Sequence, residues 1–190
     1  MKKFRYNIIL GSNSPRRKEI LTDMGINFIV RSSNTDESYP NYLKEKEISE
    51  FLAIKKSKNL INIIKEDEML ITADTIVCNS NLVLNKPKNY NESIEMLTSL
   101  SGKTPKVISS VYLYTHKKQI IFSDETEVTF LDLDPDIIMY YIEKYRPFDK
   151  AGSYGIQEWL GLVGIDKING SYTNVVGLPS SKLFQTIRNF

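Results

Sequence analysis

Residues 4–25 read FRYNIILGSNSPRRKEILTDMG, and this stretch predicts the first strand, turn and helix of the fold. The β-branched and aromatic run at residues 4–10 is typical of a strand. Ser14 followed by Pro15 is typical of a helix N-cap and first helical position. We therefore expect a helix that starts at Pro15 and stops at Gly25, where glycine is suited to a helix C-terminus.

After this unit, strand and helix patterns alternate with hairpins along the chain. The predicted strands cover residues 27–31, 69–78, 82–84, 106–115, 119–131 and 160–168, with a turn at 79–81. The predicted helices cover residues 43–65, 90–100, 135–145 and 179–190. This mixture predicts an α/β fold, bordering on α+β, with a mixed sheet rather than a doubly wound parallel one.

Composition excludes several classes of function. The 25 basic and 23 acidic residues nearly balance, so bulk charge does not favour binding to nucleic acid or membranes. One cysteine, Cys78, and one histidine, His116, exclude a disulfide framework and a Cys- or His-rich metal site. No apolar run is long enough to span a bilayer, and residues 1–10 resemble a first strand rather than a signal peptide. Cytoplasm is therefore the expected compartment.

Two arginines stand at the start of the first predicted helix, in Ser12-Asn13-Ser14-Pro15-Arg16-Arg17. The helix dipole disfavours cations at that end, whereas unpaired backbone N–H groups there attract anions. Arg16 and Arg17 are consistent with a phosphate-binding turn. The alternative is that both are solvated or paired with nearby carboxylates.

Asp74 interrupts the apolar run at residues 69–78. An unpaired carboxylate in such a strand costs several kcal/mol, so it needs a partner, a metal or a cleft. A carboxylate in a cleft would suit a metal ligand or a general base. The alternatives are a structural ion pair or a cap at the strand end.

Other polar residues carry weaker signals when each is taken alone. Lys86 has a defined direction because it precedes Pro87, and Lys56 lies on a helix beside competing lysines at 55 and 58. Asp36 and Glu37 form a pair in a polar loop at residues 32–42. A glycine-containing loop at 152–157 could approach a ligand closely, although it has no P-loop pattern.

Taken together in order, six segments resemble the Maf family, and the resemblance covers nearly the whole chain. Residues 10–21 are similar to the family's opening Ser-x-Ser-Pro-Arg-Arg-x-Glu-Leu-Leu pattern. Ala73-Asp74-Thr75-Ile76-Val77 resembles its Ala-Asp-Thr-Val-Val strand. The other four segments lie at residues 86–87, 97–102, 149–157 and 170–179.

The resemblance implies a nucleoside triphosphate pyrophosphatase with a fold similar to inosine triphosphate pyrophosphatase. That fold is an elongated mixed sheet flanked by helices, with two lobes and a central cleft. The resemblance also implies one Maf-like domain over residues 1–190, a possible homodimer and an association with bacterial septum formation. The loop at 149–157 is like that of the branch acting on dTTP and UTP. The branch acting on 7-methyl-GTP usually has Glu in place of Gln157.

Matched position by position, the resemblance implies a set of site residues. Asp74 matches the catalytic aspartate, and Glu37 matches a carboxylate in an Asp-Glu loop. Both are candidate ligands for Mg²⁺ or Mn²⁺, because these ions prefer oxygen donors. The positions that match phosphate-facing groups are Ser12, Arg16, Arg17, Lys56 and Lys86. The positions linked to substrate choice are Arg17, Thr75 and Gln157.

The chain also departs from the family pattern. Gly11 stands where alanine is usual, and Glu158 replaces the glycine after Gln157, which adds a carboxylate beside the expected base-reading amide. The resulting hypothesis is hydrolysis of dTTP and UTP to the monophosphate and pyrophosphate, as nucleotide-pool housecleaning. Two alternatives stay open: a nucleotide-binding regulator of cell division, and a pyrophosphatase acting on 7-methyl-GTP.

Overall fold

The structure is a computed structural model that describes residues 4–32, 34–80 and 82–190. Within these ranges, seven strands form one sheet. The strands are β1 (Asn7–Leu10), β2 (Phe28–Val30), β3 (Glu68–Asn79), β4 (Leu82–Leu84), β5 (Lys106–Tyr114), β6 (Gln119–Phe130) and β7 (Ile165–Asn169). Their order is β2-β1-β3-β5-β6-β7, with β4 paired to β3.

The sheet is mixed. β1 pairs in parallel with both β2 and β3, whereas β4 pairs antiparallel with β3 and β7 pairs antiparallel with β6. Helices accompany the sheet, so the predicted α/β class is confirmed. Leu10 lies opposite Ile71 in the parallel β1–β3 pair, and the Gly11 N–H donates to the Ile71 carbonyl at 2.8 Å. The turn that follows β1 therefore lies at the same end of the β1–β3 pair as the part of β3 that carries Asp74.

Helix boundaries in the described ranges follow the local signals for most helices. Ser14 caps the first helix by accepting the Arg17 N–H, and Asn89 caps the third by accepting the Glu92 N–H. The α-helices are α1 (Pro15–Asp23), α2 (Glu45–Ile61), α3 (Tyr90–Leu100), α4 (Pro135–Tyr145), α5 (Trp159–Val163), α6 (Tyr172–Val176) and α7 (Ser180–Arg188). A 3-10 helix covers Ala151–Ser153, and none of the helices described is long and apolar enough to cross a membrane.

Two compact units make up the chain. The first comprises residues up to Asp74, Ser109–Asp124 and Gly177–Phe190, and the second comprises Thr75–Ile108 and Glu125–Val176. A buried cluster in the first unit contains Ile9, Leu60, Ile64 and Leu70. A larger buried cluster in the second unit is formed by residues including Val77, Leu97, Val128, Tyr141, Tyr154 and Leu160.

The departure at Gly11 has a packing explanation within the first unit. A Cβ atom on Gly11 would lie 2.6 Å from Cγ2 of Thr72 and 3.0 Å from Cδ1 of Leu60. The Thr72 hydroxyl donates to the Ala53 carbonyl at 2.7 Å, which fastens α2 to β3. The space that an alanine side chain would need is therefore occupied by the methyl group of Thr72.

One predicted element is wrong. The segment expected to be a strand over residues 160–168 is a helix, α5, followed by β7 from Ile165. A short apolar run does not by itself distinguish a buried strand from a buried helical turn. Gly161 permits the helical turn, because a Cβ there would lie 1.8 Å from the Ile156 carbonyl oxygen. The short helix α6 was also not predicted.

Smaller differences concern element ends. β1 starts three residues later than predicted, and α2 covers Glu45–Ile61 rather than residues 43–65. Ser80 has a φ of 50°, which fits the predicted turn after β3. The N-terminal, loop and turn predictions also included residues 1–3, Ser33 and Asn81, which lie outside the described residues.

Candidate active site

Two serines build the turn between β1 and α1. The Ser14 hydroxyl accepts the Arg17 N–H at 3.5 Å and so caps the helix. The Ser12 hydroxyl accepts the Ser14 N–H at 3.2 Å and the Arg17 Nη1 at 3.3 Å. Ser12 therefore holds the start of the helix and the guanidinium at the same time.

Arg17 is a buried cation, 9% exposed. Its Nε donates to the Gly177 carbonyl at 2.9 Å, which fixes the direction of the guanidinium. Burial lowers the pKa of Arg17, and the negative charges of Asp74 and Glu37 oppose that shift. The positive charge of Arg16 lowers the pKa of Arg17 further, so the two guanidinium groups are close enough to interact electrostatically.

Asp74 has a charged partner, which is one of the three forms of compensation that a carboxylate in an apolar strand can have. Asp74 as a whole residue is 6% exposed, and the Lys56 Nζ lies 2.5 Å from its Oδ1. Burial raises the pKa of Asp74, whereas the cations of Lys56 and Arg17 pull that pKa down. The ion pair, one of the alternatives for Asp74, is therefore present, and the charges of Arg17 and Glu37 also act on this carboxylate.

Glu37 joins the same ammonium group. Its Oε1 lies 2.9 Å from the Lys56 Nζ, so two carboxylates converge on one lysine. The Glu37 side chain is 41% exposed, compared with 8% for the Asp74 side chain. The site thus has one buried acidic group and one that is open to solvent.

The structure distinguishes the three lysines of α2 that were candidates for a site residue. Lys56 contacts Asp74 and Glu37, whereas Lys58 is exposed. The Lys55 Nζ donates to the Asp36 carboxylate at 3.1 Å and to the Ser38 carbonyl at 2.7 Å. Lys55 therefore fastens the residues on either side of Glu37, a role that the sequence analysis did not assign.

The same loop is held by a second interaction. The Ser38 hydroxyl donates to the Asp36 carboxylate, and this bond together with Lys55 lowers the pKa of Asp36. Adjacent lysines on α2 thus contact different parts of the loop: Lys55 binds Asp36 and Ser38, and Lys56 binds the Glu37 carboxylate.

The donor set in the first unit fits a divalent cation that brings further ligands with it. Among the residues described, no group of three or more His, Cys, Asp or Glu side chains could hold a metal ion. Asp74 and Glu37 nevertheless converge on the Lys56 Nζ and supply carboxylate oxygens. Mg²⁺ is commonly bound by one or two carboxylates plus substrate phosphates and water, so the residue types present are compatible with such a site.

The remaining predicted residues belong to the second unit. Thr75 is half-buried on β3, and Lys86 is exposed just after β4. Gln157 is exposed in the loop between the 3-10 helix and α5. The Gly152 N–H donates to the Asn85 carbonyl at 3.3 Å, so this loop is tied to the segment that carries Lys86.

Gly152 needs the conformational freedom of glycine. Its φ is 68°, and a Cβ there would lie 3.2 Å from the side chain of Val77. The neighbouring Ser153 hydroxyl is hydrogen-bonded to the Ser93 hydroxyl on α3. Backbone and side-chain contacts therefore hold the start of the loop against β3 and α3.

Comparison with protein families and curated proteins gives consistent matches. A family model described as Maf-like protein matches residues 7–190. A dTTP/UTP pyrophosphatase of Bacteroides fragilis is 49% identical over 185 residues, which cover 97% of this chain and 96% of the relative. A dTTP/UTP pyrophosphatase of Flavobacterium johnsoniae is 46% identical over 181 residues, which cover 95% of this chain and 93% of that relative.

Among solved structures, the Staphylococcus aureus Ham1 protein gives a partial match. It is 15% identical, the match covers 66% of this chain and 72% of that one, and the TM-score is 0.46. A likeness at this level carries no argument about function.

Proposed function

The chain belongs to the Maf-like protein family, and we propose that it hydrolyses dTTP and UTP to the nucleoside monophosphate and pyrophosphate. Relatives of nearly the same length bear the name dTTP/UTP pyrophosphatase. The observation that carries the proposal is the buried Asp74 carboxylate, held by Lys56 and lying in the electrostatic field of Arg17.

In the proposed reaction, water attacks the α-phosphorus and the bond to the oxygen bridging the α- and β-phosphorus atoms breaks. Asp74 orients the water and accepts its proton. Burial raises the pKa of Asp74 and so makes the carboxylate more basic, while Lys56 and Arg17 keep the ionised form accessible. These opposing effects suit a general base, which needs both basicity and a deprotonated starting state.

The cations have a separate task. Arg16 and Arg17 at the start of α1, together with Lys56 and Lys86, stabilise negative charge on the transferring phosphoryl group and on the departing pyrophosphate. Ser12 would contribute a hydroxyl contact to phosphate. Arg17 is already fixed by Gly177 and Ser12, so it needs little reorganisation when substrate binds.

A divalent cation, Mg²⁺ or Mn²⁺, completes the proposal. Asp74 and Glu37 would hold it, and the bound ion would supply positive charge that neutralises the triphosphate. We also propose that the chain acts in the cytoplasm as one Maf-like domain that can form a homodimer. Its substrates there would be free nucleotides.

A substrate panel tests the proposed function. Purified protein is incubated with Mg²⁺ and, separately, with dTTP, UTP, GTP and 7-methyl-GTP, and the release of pyrophosphate is measured. We expect the highest kcat/KM with dTTP and UTP. A preference for 7-methyl-GTP would assign the chain to that activity instead. No release from any of the triphosphates would favour a nucleotide-binding regulator.

Arg16 and Arg17 should respond differently to substitution. Arg17→Ala removes a buried guanidinium and leaves the Gly177 carbonyl without this donor, so we expect a loss of about 1–3 kcal/mol in the free energy of unfolding as well as weaker hydrolysis. Arg16→Ala should weaken hydrolysis without lowering the melting temperature, because its charge opposes the helix dipole. Thermal denaturation and steady-state kinetics of both variants check this. Equal melting temperatures for the two variants would contradict it.

Gln157 should determine the preference for the base. Its amide offers an NH₂ donor group and a carbonyl acceptor, which match the O4 carbonyl and N3–H of uracil and thymine. In Gln157→Glu the carboxylate only accepts, so the O4 carbonyl loses its donor. We expect kcat/KM for UTP to fall relative to GTP by about 1–3 kcal/mol, or about 5- to 150-fold. An unchanged ratio of UTP to GTP would exclude Gln157 from base selection.

A further inference from the structure

Gln157 lies in a tight turn whose two ends are closed by the backbone. The Glu158 N–H donates to the Gly155 carbonyl at 3.0 Å, which makes residues 155–158 a β-turn with Gln157 at its third position. Ile156, at the second position, is 6% exposed and belongs to the core of the second unit. The turn thus buries one side chain and presents the next one, Gln157, to solvent.

One hydroxyl group fastens both ends of this turn. The Tyr141 hydroxyl accepts the Gly155 N–H at 2.9 Å and donates to the Glu158 carboxylate. Tyr141 is fully buried on α4, so its oxygen is a fixed point. Burial, followed by the hydrogen bond to Glu158, raises the pKa of Tyr141, which keeps the hydroxyl protonated and able to donate.

The Glu158 carboxylate has a second partner on the other side. The Lys150 Nζ lies 3.0 Å from its Oε1, and these two side chains are 10% and 20% exposed. Lys150 also contacts Asp149 at 2.7 Å. The Glu158 carboxylate is next to Gln157 in the sequence, but its partners are therefore Tyr141 and Lys150.

The Glu158 side chain packs closely against Gly155 at the start of the turn. A Cβ on Gly155 would lie 2.8 Å from Cδ and 2.9 Å from Oε2 of Glu158, so the carboxylate lies directly against the backbone of the turn. A glycine at position 158 would supply neither the acceptor for Tyr141 nor the charge for Lys150. The side chain of Glu158 thus adds two restraints to the turn that carries Gln157.

We propose that Glu158 is a positioning residue that, through Tyr141 and Lys150, fixes the turn at residues 155–158 and so sharpens recognition of the pyrimidine base by Gln157. This inference rests on the proposed function. An amide discriminates between bases by the direction of its donor and acceptor, so its selectivity depends on how tightly its backbone is held. A looser turn should therefore lower kcat/KM more for thymine and uracil nucleotides, whose base the amide matches, than for guanine nucleotides.

The test compares Glu158→Ala with Glu158→Gln and with the control Glu143→Ala, which removes an exposed glutamate from α4 near Tyr141. The amide of Glu158→Gln still presents an oxygen to the Tyr141 hydroxyl, so it should recover most of the loss. Two quantities are measured for each variant: hydrogen exchange of the backbone amides at residues 155–158, and the ratio of kcat/KM for dTTP to that for GTP.

For Glu158→Ala we expect faster exchange in the turn and a ratio lowered by about tenfold, mainly through a higher KM for dTTP, the scale of one misplaced hydrogen bond to the base. The control should match the unsubstituted protein in both measurements. Unchanged exchange in the turn, or equal losses with dTTP and GTP, would overturn the proposal. If the unsubstituted protein hydrolyses no triphosphate, the proposed function fails and the selectivity claim with it, while the exchange measurement still decides whether Glu158 fixes the turn.

Discussion

Asp74→Asn should lower kcat for dTTP by at least ~100-fold, the scale expected when a general base is removed. Asparagine keeps the shape of the side chain but cannot accept the proton of the attacking water, and it is a poorer ligand for a divalent cation. Single-turnover kinetics with dTTP and Mg²⁺ measure the effect on the chemical step. Turnover close to that of the unsubstituted protein would remove Asp74 from the catalytic role.

The same substitution should not destabilise the fold. Burial raises the pKa of Asp74, so the folded protein favours the neutral carboxyl over the charged one. A carboxyl of this kind contributes stability below its unfolded pKa, about 4, and loses that contribution as the pH rises through its folded pKa. The melting temperature of Asp74→Asn should therefore equal that of the unsubstituted protein near pH 4 and match or exceed it at pH 8. A lower value at pH 8 would mean that the ion pair with Lys56 outweighs the cost of burial.

Lys56→Met should damage both stability and turnover. The methionine keeps most of the hydrophobic stem but removes the ammonium that lies 2.5 Å from the Asp74 carboxylate. The loss should reach about 3–5 kcal/mol, because the deeply buried Asp74 carboxylate then lacks its nearest cation. Asp74→Asn differs because it leaves Lys56 partly exposed and still paired with Glu37. The pKa of Asp74 should rise further, so the acid limb of the rate profile should move to higher pH.

A double-mutant cycle separates these effects. Lys56→Met combined with Asp74→Asn leaves no buried charge at this position, so it should recover most of the lost free energy of unfolding but none of the activity. Lys58→Met is the matched control, because Lys58 is exposed on the same helix. A double variant as unstable as Lys56→Met would show that the loss comes from packing of the lysine stem and not from its charge.

The parts of the fold that the sequence predicted well are those with local signals. The start of α1 depends on Ser14 and Pro15, which act within one helical turn, and the structure places the helix there. α5 was mistaken for a strand because its apolar run is short, and its helical form depends on packing against Ile156. Such packing depends on the surrounding chain and is not encoded in the run itself.

The site shows the same division. The carboxylate of Asp74 was identified because a charge in an apolar strand requires compensation. Its partner was not assigned, because the resemblance marked Lys56 only as a phosphate-facing group, and the pairing with Asp74 depends on how α2 packs beside β3. The orientation of the Glu158 side chain could not be predicted from the local sequence, because its partner Tyr141 lies 17 positions earlier in the chain.

In the proposed reaction, water attacks the α-phosphorus at a site organised by Asp74. Hydrolysis of dTTP in ¹⁸O-labelled water, followed by mass spectrometry of both products, shows which phosphorus atom is attacked. We expect that one ¹⁸O atom enters dTMP, that pyrophosphate stays unlabelled, and that Asp74→Asn forms neither product at a comparable rate. Label in pyrophosphate, or release of inorganic phosphate with dTDP, would contradict it.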